Sequence, residues 1–324
     1  MAGNAITNTL SLTKIRILLA TRNRMFLFFS LAMPLGFLLF FHMLYGKGPE
    51  GSGWTSEILG SILTLTVMGG FWGLSVQLVT FREQGILRRF RLAPVGAGPM
   101  LASSILANYC LLLPPVIVEV IVARQLLHAA TWGNLWVMFL LVTIGSATFA
   151  SLGLIIASVT NTMQETQIIN QIVWMIFLFL SGATVPLTVF PKNVQYLTLF
   201  SPATYLATGL QGAAINRISE KVFIIDAVAL ILGLLMAFEI SRRLFRWEPE
   251  AKMPSGAKVW VLVAMVPFLA LGVWQCFDGA VLDEVHKNIA FIDRGGLDQH
   301  APAANGAEKR SHDDDQQNQQ EQPK

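Results

Sequence analysis

Four stretches of this 324-residue chain run for more than twenty residues each without Asp, Glu, Lys or Arg: 25–45, 58–81, 132–160 and 166–190. A helix needs roughly 20 apolar residues to cross the hydrocarbon core of a bilayer, so each of these runs is long enough to span. Two further runs are nearly as clean. Residues 100–123 carry one acid, Glu119, and residues 222–241 carry Asp226 and Glu239. Residues 259–277 are uncharged but shorter. The chain is therefore read as an all-α integral membrane protein with six spans and a seventh after them. Composition agrees: 53% of the residues are hydrophobic and 13% charged, against about 25% charged in soluble domains.

Four bases, Lys14, Arg16, Arg22 and Arg24, precede the first run. That run is too long for a cleavable signal sequence, whose apolar core is about 7–15 residues, so it is read as a retained span. Cys110 and Cys276 fall in separate spans and suggest no disulfide framework. Lysine and arginine placement sets the orientation. Arg82, Arg88, Arg89 and Arg91 lie between spans two and three, and Arg242, Arg243, Arg246, Lys252 and Lys258 follow span six, whereas the alternate loops hold fewer bases. The N-terminus is accordingly expected in the cytoplasm, and the protein in the cytoplasmic (inner) membrane. The expected organisation is a cytoplasmic interfacial helix over 1–24, with Leu12, Ile15, Leu18 and Leu19 on one face. A six-helix transmembrane domain follows over 25–241, then a basic connector and seventh span over 242–277, and a polar, disordered tail over 278–324.

Residues 181–219, between spans five and six, are too apolar for a solvated loop yet contain Pro186, Pro191 and Pro202. Proline interrupts helices, and broken backbone at membrane depth needs protein or a cavity around it. Short re-entrant helices dipping from the outer face are expected, with Leu187, Leu197, Leu199, Tyr205 and Leu206 seeking burial. No phosphate-binding loop, zinc-protease motif or CxxC pair occurs, so no soluble catalytic set is read. The intramembrane acids Glu119, Asp226 and Glu239 are expected near the span ends, each close to an interface or a basic partner. Arg124 follows Glu119 by five residues, and Arg242 and Arg243 follow Glu239.

Three segments in order carry a family resemblance. The segment REQGILRRFRLAP, residues 82–94, resembles the acidic-x-G-x-L-x-R-L-x-x-x-P pattern after the second helix of ABC-2 type transporter permeases. Residues 145–191, ending SGATVPLTVFP, are similar to the fourth and fifth helices of that family. The segment LFSPATYLATGLQGA, residues 199–213, is similar to its outer segment, with Ser201 for the usual asparagine and Gln211 where an arginine is common. The drug- and lipid-exporting permeases of the daunorubicin-resistance type are the nearest flavour. The resemblance implies a connector that docks on a separate ABC ATP-binding subunit, through Glu83, Gly85, Ile86, Leu87, Arg88, Arg89, Phe90, Arg91 and Pro94, with Gln164 and Glu165 of the next loop on that side. From the residues themselves, Gly85 and Pro94 bracket a short helical turn whose apolar members are Ile86, Leu87 and Phe90. The arginines suit an acidic cleft, and they also serve as a plain orientation signal.

The resemblance implies the membrane subunit of an ATP-driven exporter of an amphipathic small molecule or lipid-like substrate. It would bind no cofactor itself, with ATP and magnesium on the partner, and would pair with a second permease copy or a paralogue within the lipid bilayer. No nucleic-acid partner and no enzymatic activity are expected. Spans one, two and five would line the route, with Asn170, Gln171, Ser181 and Gly182 on span five and its end offering polar contacts. The alternative is a passive channel or scaffold without ATPase coupling.

Overall fold

The computed structural model describes residues 5–45, 51–87, 96–246 and 257–294. Among these residues there are eleven α-helices, one 3-10 turn and no strand. They are α1 (Ala5–Arg22), α2 (Arg24–Tyr45), α3 (Gly51–Glu83), α4 (Ala97–Gln125), α5 (Leu135–Val159), α6 (Met163–Leu180), α7 (Lys192–Thr198), α8 (Pro202–Ala214), α9 (Glu220–Leu244), α10 (Ala257–Asp278) and α11 (Ala280–Asp293), with the 3-10 turn at Leu187–Val189 before α7. Five helices are long and apolar enough to cross a membrane, and α10 with α11, bent by 65° at Gly279, makes a sixth if the pair counts as one span.

Side-chain caps open four of the helices. Asn134 accepts from the Val137 amide, Thr162 from Glu165, Ser201 from Ala203 and Ser219 from Val222. Such caps satisfy amides that a helix start leaves unpaired. The uncharged run 166–190, read as span five, is not one helix to residue 190. Its helix stops at Leu180, Ser181 closes it, and Gly182 takes φ +79°, the left-handed conformation that ends many helices and favours glycine.

α3 and α5 form the centre. α5 is buried at every position from Thr148 to Ser158, and its small residues let neighbouring backbones approach. A Cβ on Gly153 would stand 2.4 Å from the Phe71 carbonyl oxygen of α3. Phe71, Phe149 and Phe177 pack edge to face between α3, α5 and α6. Against the other side of α5 lies α9, joined through Thr148 to the Leu230 carbonyl at 2.9 Å and Ser241 to the Ser151 carbonyl at 3.3 Å.

α10 runs antiparallel to α9 along its length. Arg243 lies over Trp260 at one end, Phe268 fills the space at Gly233 in the middle, and Lys221 pairs with Asp278 at 2.9 Å at the other end. At about 1.5 Å per residue, its 22 residues extend about 33 Å, so Pro267 does not shorten it into a stub. The polar tail begins later than composition suggests. Residues Ala280–Asp293 are helical and bury Val281, Leu282, Val285 and Ile292, an apolar stripe that the charged average of the region conceals.

α1 packs on α4 through Thr13 and Arg16, so Arg16 turns into the bundle instead of outward, while Ile15, Leu18 and Leu19 are exposed together. Arg16 meets the Gln77 amide oxygen and the Met100 sulfur at 3.5 Å and lies against the Phe81 ring. Burial draws its guanidinium down to about 10.

Candidate functional site

One end of the bundle gathers charged groups onto helix termini. α3 finishes with Arg82 and Glu83, and both reach the short turn between α5 and α6. The buried Arg82 guanidinium donates to the carbonyls of Ala157 at 2.9 Å and Thr160 at 2.5 Å. Arg246, just past α9, donates to the same Thr160 carbonyl at 2.9 Å, to Ser158 at 3.1 Å and to the Asn161 side chain at 3.1 Å. Two cations thus satisfy the last carbonyls of α5, where the helix dipole is negative. Burial lowers the Arg246 pKa, and nearby Glu165 opposes that shift.

The start of α6 is held from the other side. Glu83 accepts the Met163 amide at 2.9 Å, and Glu165 accepts the Asn161 amide at 2.8 Å. Thr166 adds a hydroxyl contact to Thr160 at 2.8 Å. The two segments expected to face a partner therefore touch each other directly. Gly85 takes φ +68° and turns the chain after α3, and Ile86 is half-buried. Leu87 is fully buried with Leu78, Met100, Leu154 and Ala157, so it anchors the connector to this chain rather than being displayed. Gln164 is exposed. Arg88, Arg89, Phe90, Arg91 and Pro94 lie outside the described residues.

From this end α3 leads into a groove of about 520 Å³ shared by α2, α3, α4 and α6. The walls include Phe37, Phe41 and Trp174, with Gly69, Gly70 and Gly73 flattening one side. Thr66 and Asn108 are among its few polar groups. Asn108 fits because Gly70 lacks a Cβ: that atom would stand 2.7 Å from the amide nitrogen. The expected spans one, two and five do line this groove, and span three joins them. The polar residues expected there do not. Asn170 is buried in a reciprocal pair with Ser75 at 2.8 and 3.1 Å, tying α6 to α3. Gln171 is exposed, and Ser181 and Gly182 are buried in the turn that closes α6. The repeated Gly69, Gly70 and Gly73, together with the lone amide of Asn108, were the sequence signals for the wall.

At the opposite end the broken outer segment folds as short helices. Its prolines begin elements rather than cut them: Pro186 precedes the 3-10 turn, Pro191 precedes α7, and Pro202 is the first residue of α8, where its missing N–H carries no penalty. Residues Pro202–Leu210 are buried throughout. Tyr205 donates to the Leu199 carbonyl at 2.7 Å. Leu187, Leu199 and Leu206 are buried as expected, but Leu197 is 54% exposed, because α7 is too short to hide both faces.

The intramembrane acids do not all find the partners expected. Glu239 pairs with Arg242 and Arg243 at 2.7–2.9 Å. Glu119 instead accepts from Thr66, at the middle of α3, at 2.8 Å, while Arg124 turns to the Ala129 carbonyl and the Trp132 ring. Asp226 is fully buried beside the Thr208 hydroxyl at 3.2–3.3 Å. Glu119 and Asp226 are thus held by hydroxyls, with no cationic partner among the described residues.

A bundle of long apolar helices with an apolar groove and a charge-locked end is the architecture of a multi-pass membrane protein. The chain belongs to the ABC-2 type transporter family, whose profile matches residues 7–215. Over 196 residues it is 24% identical to the protein named "Putative transport permease YvfS" of Bacillus subtilis (strain 168), covering 58% of this chain and 78% of that protein. α9, α10 and α11 lie beyond the matched family region.

Proposed function

We propose that this chain is the membrane subunit of an ATP-driven exporter, lying in the cytoplasmic membrane with its N-terminus inside. A separate ABC ATP-binding subunit carries ATP and magnesium, and a second permease copy or paralogue completes the assembly. The observation that carries this reading is the lock at the end of α3. The connector beginning at Gly85 continues a helix that walls the groove at Thr66, Gly69 and Gly73; Arg82 of that helix grips the end of α5, and Glu83 the start of α6, which supplies Trp174 and Leu178. A push on residues 88–95 therefore reaches two walls of the groove at once.

The groove favours an amphipathic or lipid-like substrate. Its volume lies in the range of about 300–1,000 Å³ usual for small-molecule sites, and its lining is apolar and free of Lys, Arg, Asp and Glu. The outward-facing Gln167 and Gln171 of α6 are poor neighbours for lipid and suit a second copy across that face.

The test is the double substitution Arg88→Glu, Arg89→Glu in cells expressing the ATP-binding subunit. Co-purification of that subunit should fall at least tenfold while membrane insertion is retained, since Arg82, Arg242, Arg243 and Arg246 preserve the basic end. Undiminished association and transport in this variant would overturn the coupling role of the connector, whereas a wild-type chain that retains no ATP-binding subunit would favour a passive channel.

A further inference from the structure

The opposite end contains a carboxyl group that the proposed transport cycle does not use. Glu57, near the start of α3, is 8% exposed, and among the described residues its side chain has no hydrogen-bond or ionic partner. It borders a small, partly open cavity of about 20 Å³ between α3, α8, the 3-10 turn and α11, enough for one water or one ion. The remaining walls are largely apolar, including Pro186, Leu187, Ile215, Val285 and Ile292. A charge placed among such groups needs a counter-charge or ligands.

The polar atoms around the cavity are mostly acceptors. Gln211 places its amide nitrogen between the Ser61 hydroxyl at 2.9 Å and the Gly182 carbonyl at 3.1 Å. Those bonds use both amide hydrogens and leave Oε1 as its available atom. Thr208 contacts the Thr204 carbonyl at 3.0 Å and both Asp226 oxygens at 3.2–3.3 Å, so its single proton is directed away and its lone pairs remain. Asn288 of α11 lines the far wall, and its side-chain amide includes a carbonyl oxygen. Among the described residues no base lines the cavity: Arg217 lies over the Phe291 ring, Lys221 pairs with Asp278, and Lys287 is exposed. Position 211, where the family motif commonly carries an arginine, is glutamine here.

We propose that this cavity binds one small monovalent cation of sodium's size, held by the Glu57 carboxylate and the neutral oxygens of Thr208, Gln211 and Asn288. One carboxylate balances one positive charge, and hard monovalent ions take oxygen ligands of this kind. Divalent calcium sites draw on several carboxylates. Because the ligands come from α3, α8 and α11, the ion fastens the C-terminal helix over the buried outer segment. The site lies away from the groove and is independent of ATP-driven transport.

The experiment uses the purified full chain in detergent, without an ATP-binding subunit. Thermal unfolding is followed in sodium chloride and in choline chloride at equal ionic strength, and radioactive sodium binding is measured by equilibrium dialysis. Sodium should raise the midpoint with a saturating dependence and bind at one ion per chain. Glu57→Gln should weaken half-saturation at least tenfold, and Gln211→Arg should abolish the sodium response by placing a guanidinium in the cavity. Asn288→Ala, on the outermost ligand helix, should weaken half-saturation severalfold, and it serves if the core variants do not fold. Equal midpoints in the two salts with no bound sodium would overturn the proposal. So would a sodium response unchanged in Glu57→Gln or, if that variant does not fold, in Asn288→Ala.

Discussion

The two ends of the bundle hold the same central helices by opposite means. At the Arg82 end, buried cations donate to the carbonyls that finish α5, and Glu83 accepts an amide that starts α6. Directional bonds between charged groups and helix termini fix the relative position of three helices there. At the Gly60 end the bonds are between neutral groups, such as Gln211 with Ser61, and the closest contact is backbone on backbone. A Cβ on Gly60 would lie 2.5 Å from the Gln211 Cα, and one on Gly133 would lie 2.5 Å from the Ala213 carbonyl oxygen. Shape seals that end, while its buried acids Glu57 and Asp226 have no cationic partner among the described residues. A joint made of bonds moves as one body, whereas a seal made of close packing opens when its surfaces separate.

The largest expected effect comes from spoiling the seal. Gly60→Ala forces α3 away from α8 and should destabilise the protein by about 3 kcal/mol, the upper part of the usual range for overpacking a core. Gly69→Ala is the matched control, since nothing lies within 4 Å of the added methyl group. It should leave the thermal midpoint unchanged or slightly raised, because alanine favours a helix interior over glycine. Both are read by thermal unfolding of the purified protein. If Gly60→Ala melts with the wild type, the outer helix is not held by close approach, and the contrast between the ends collapses.

Next in size is the joint. Arg82→Ala removes two charge-assisted bonds and leaves the Ala157 carbonyl without its donor, while Arg246 still serves Thr160. Hydrogen bonds to charged groups contribute about 1.5–3 kcal/mol each, and the retained Arg246 contacts hold the expected loss to about 2–3 kcal/mol. Arg82→Lys should recover only part, because an ammonium group does not span two carbonyls with a planar fork. Full recovery by lysine would mean that charge alone, rather than bonding geometry, maintains the joint.

The contrast between the ends was only partly legible in the sequence. Uncharged runs disclosed the spans, since a run such as 135–159 has no other way to be satisfied. The motif order disclosed the family, and the prolines disclosed the broken outer segment. What stayed hidden depends on long-range approach. Arg82 reads as one more orientation charge until α5 is seen to end beside it. Asn170 reads as a polar contact for a substrate, but it faces Ser75, 95 positions away in the chain. Glu119 has a basic residue nearby in sequence, yet the helix directs it to Thr66 while Arg124 caps a local turn. α11 escaped notice because its buried stripe of Val281, Leu282, Val285 and Ile292 is interleaved with charges in a region of polar average composition.

The smallest expected effect separates the joint's charge from its hydrogen bonding. Glu83 is exposed, and its bond to the Met163 amide acts as a cap supplied from another helix. Losing a cap of this kind costs about 1 kcal/mol, so Glu83→Ala should lower the thermal midpoint only slightly. Glu83→Gln keeps an acceptor oxygen and should match the wild type. Amide exchange gives the sharper reading: a loss of about 1 kcal/mol at a locally opening site corresponds to roughly fivefold faster exchange. That acceleration should appear at the start of α6 in Glu83→Ala and be absent from the amides of α8 at the other end. Acceleration at both ends would show that Glu83 supports the whole bundle. An unchanged α6 amide would remove Glu83 from the joint and leave Arg82 and Arg246 to hold it.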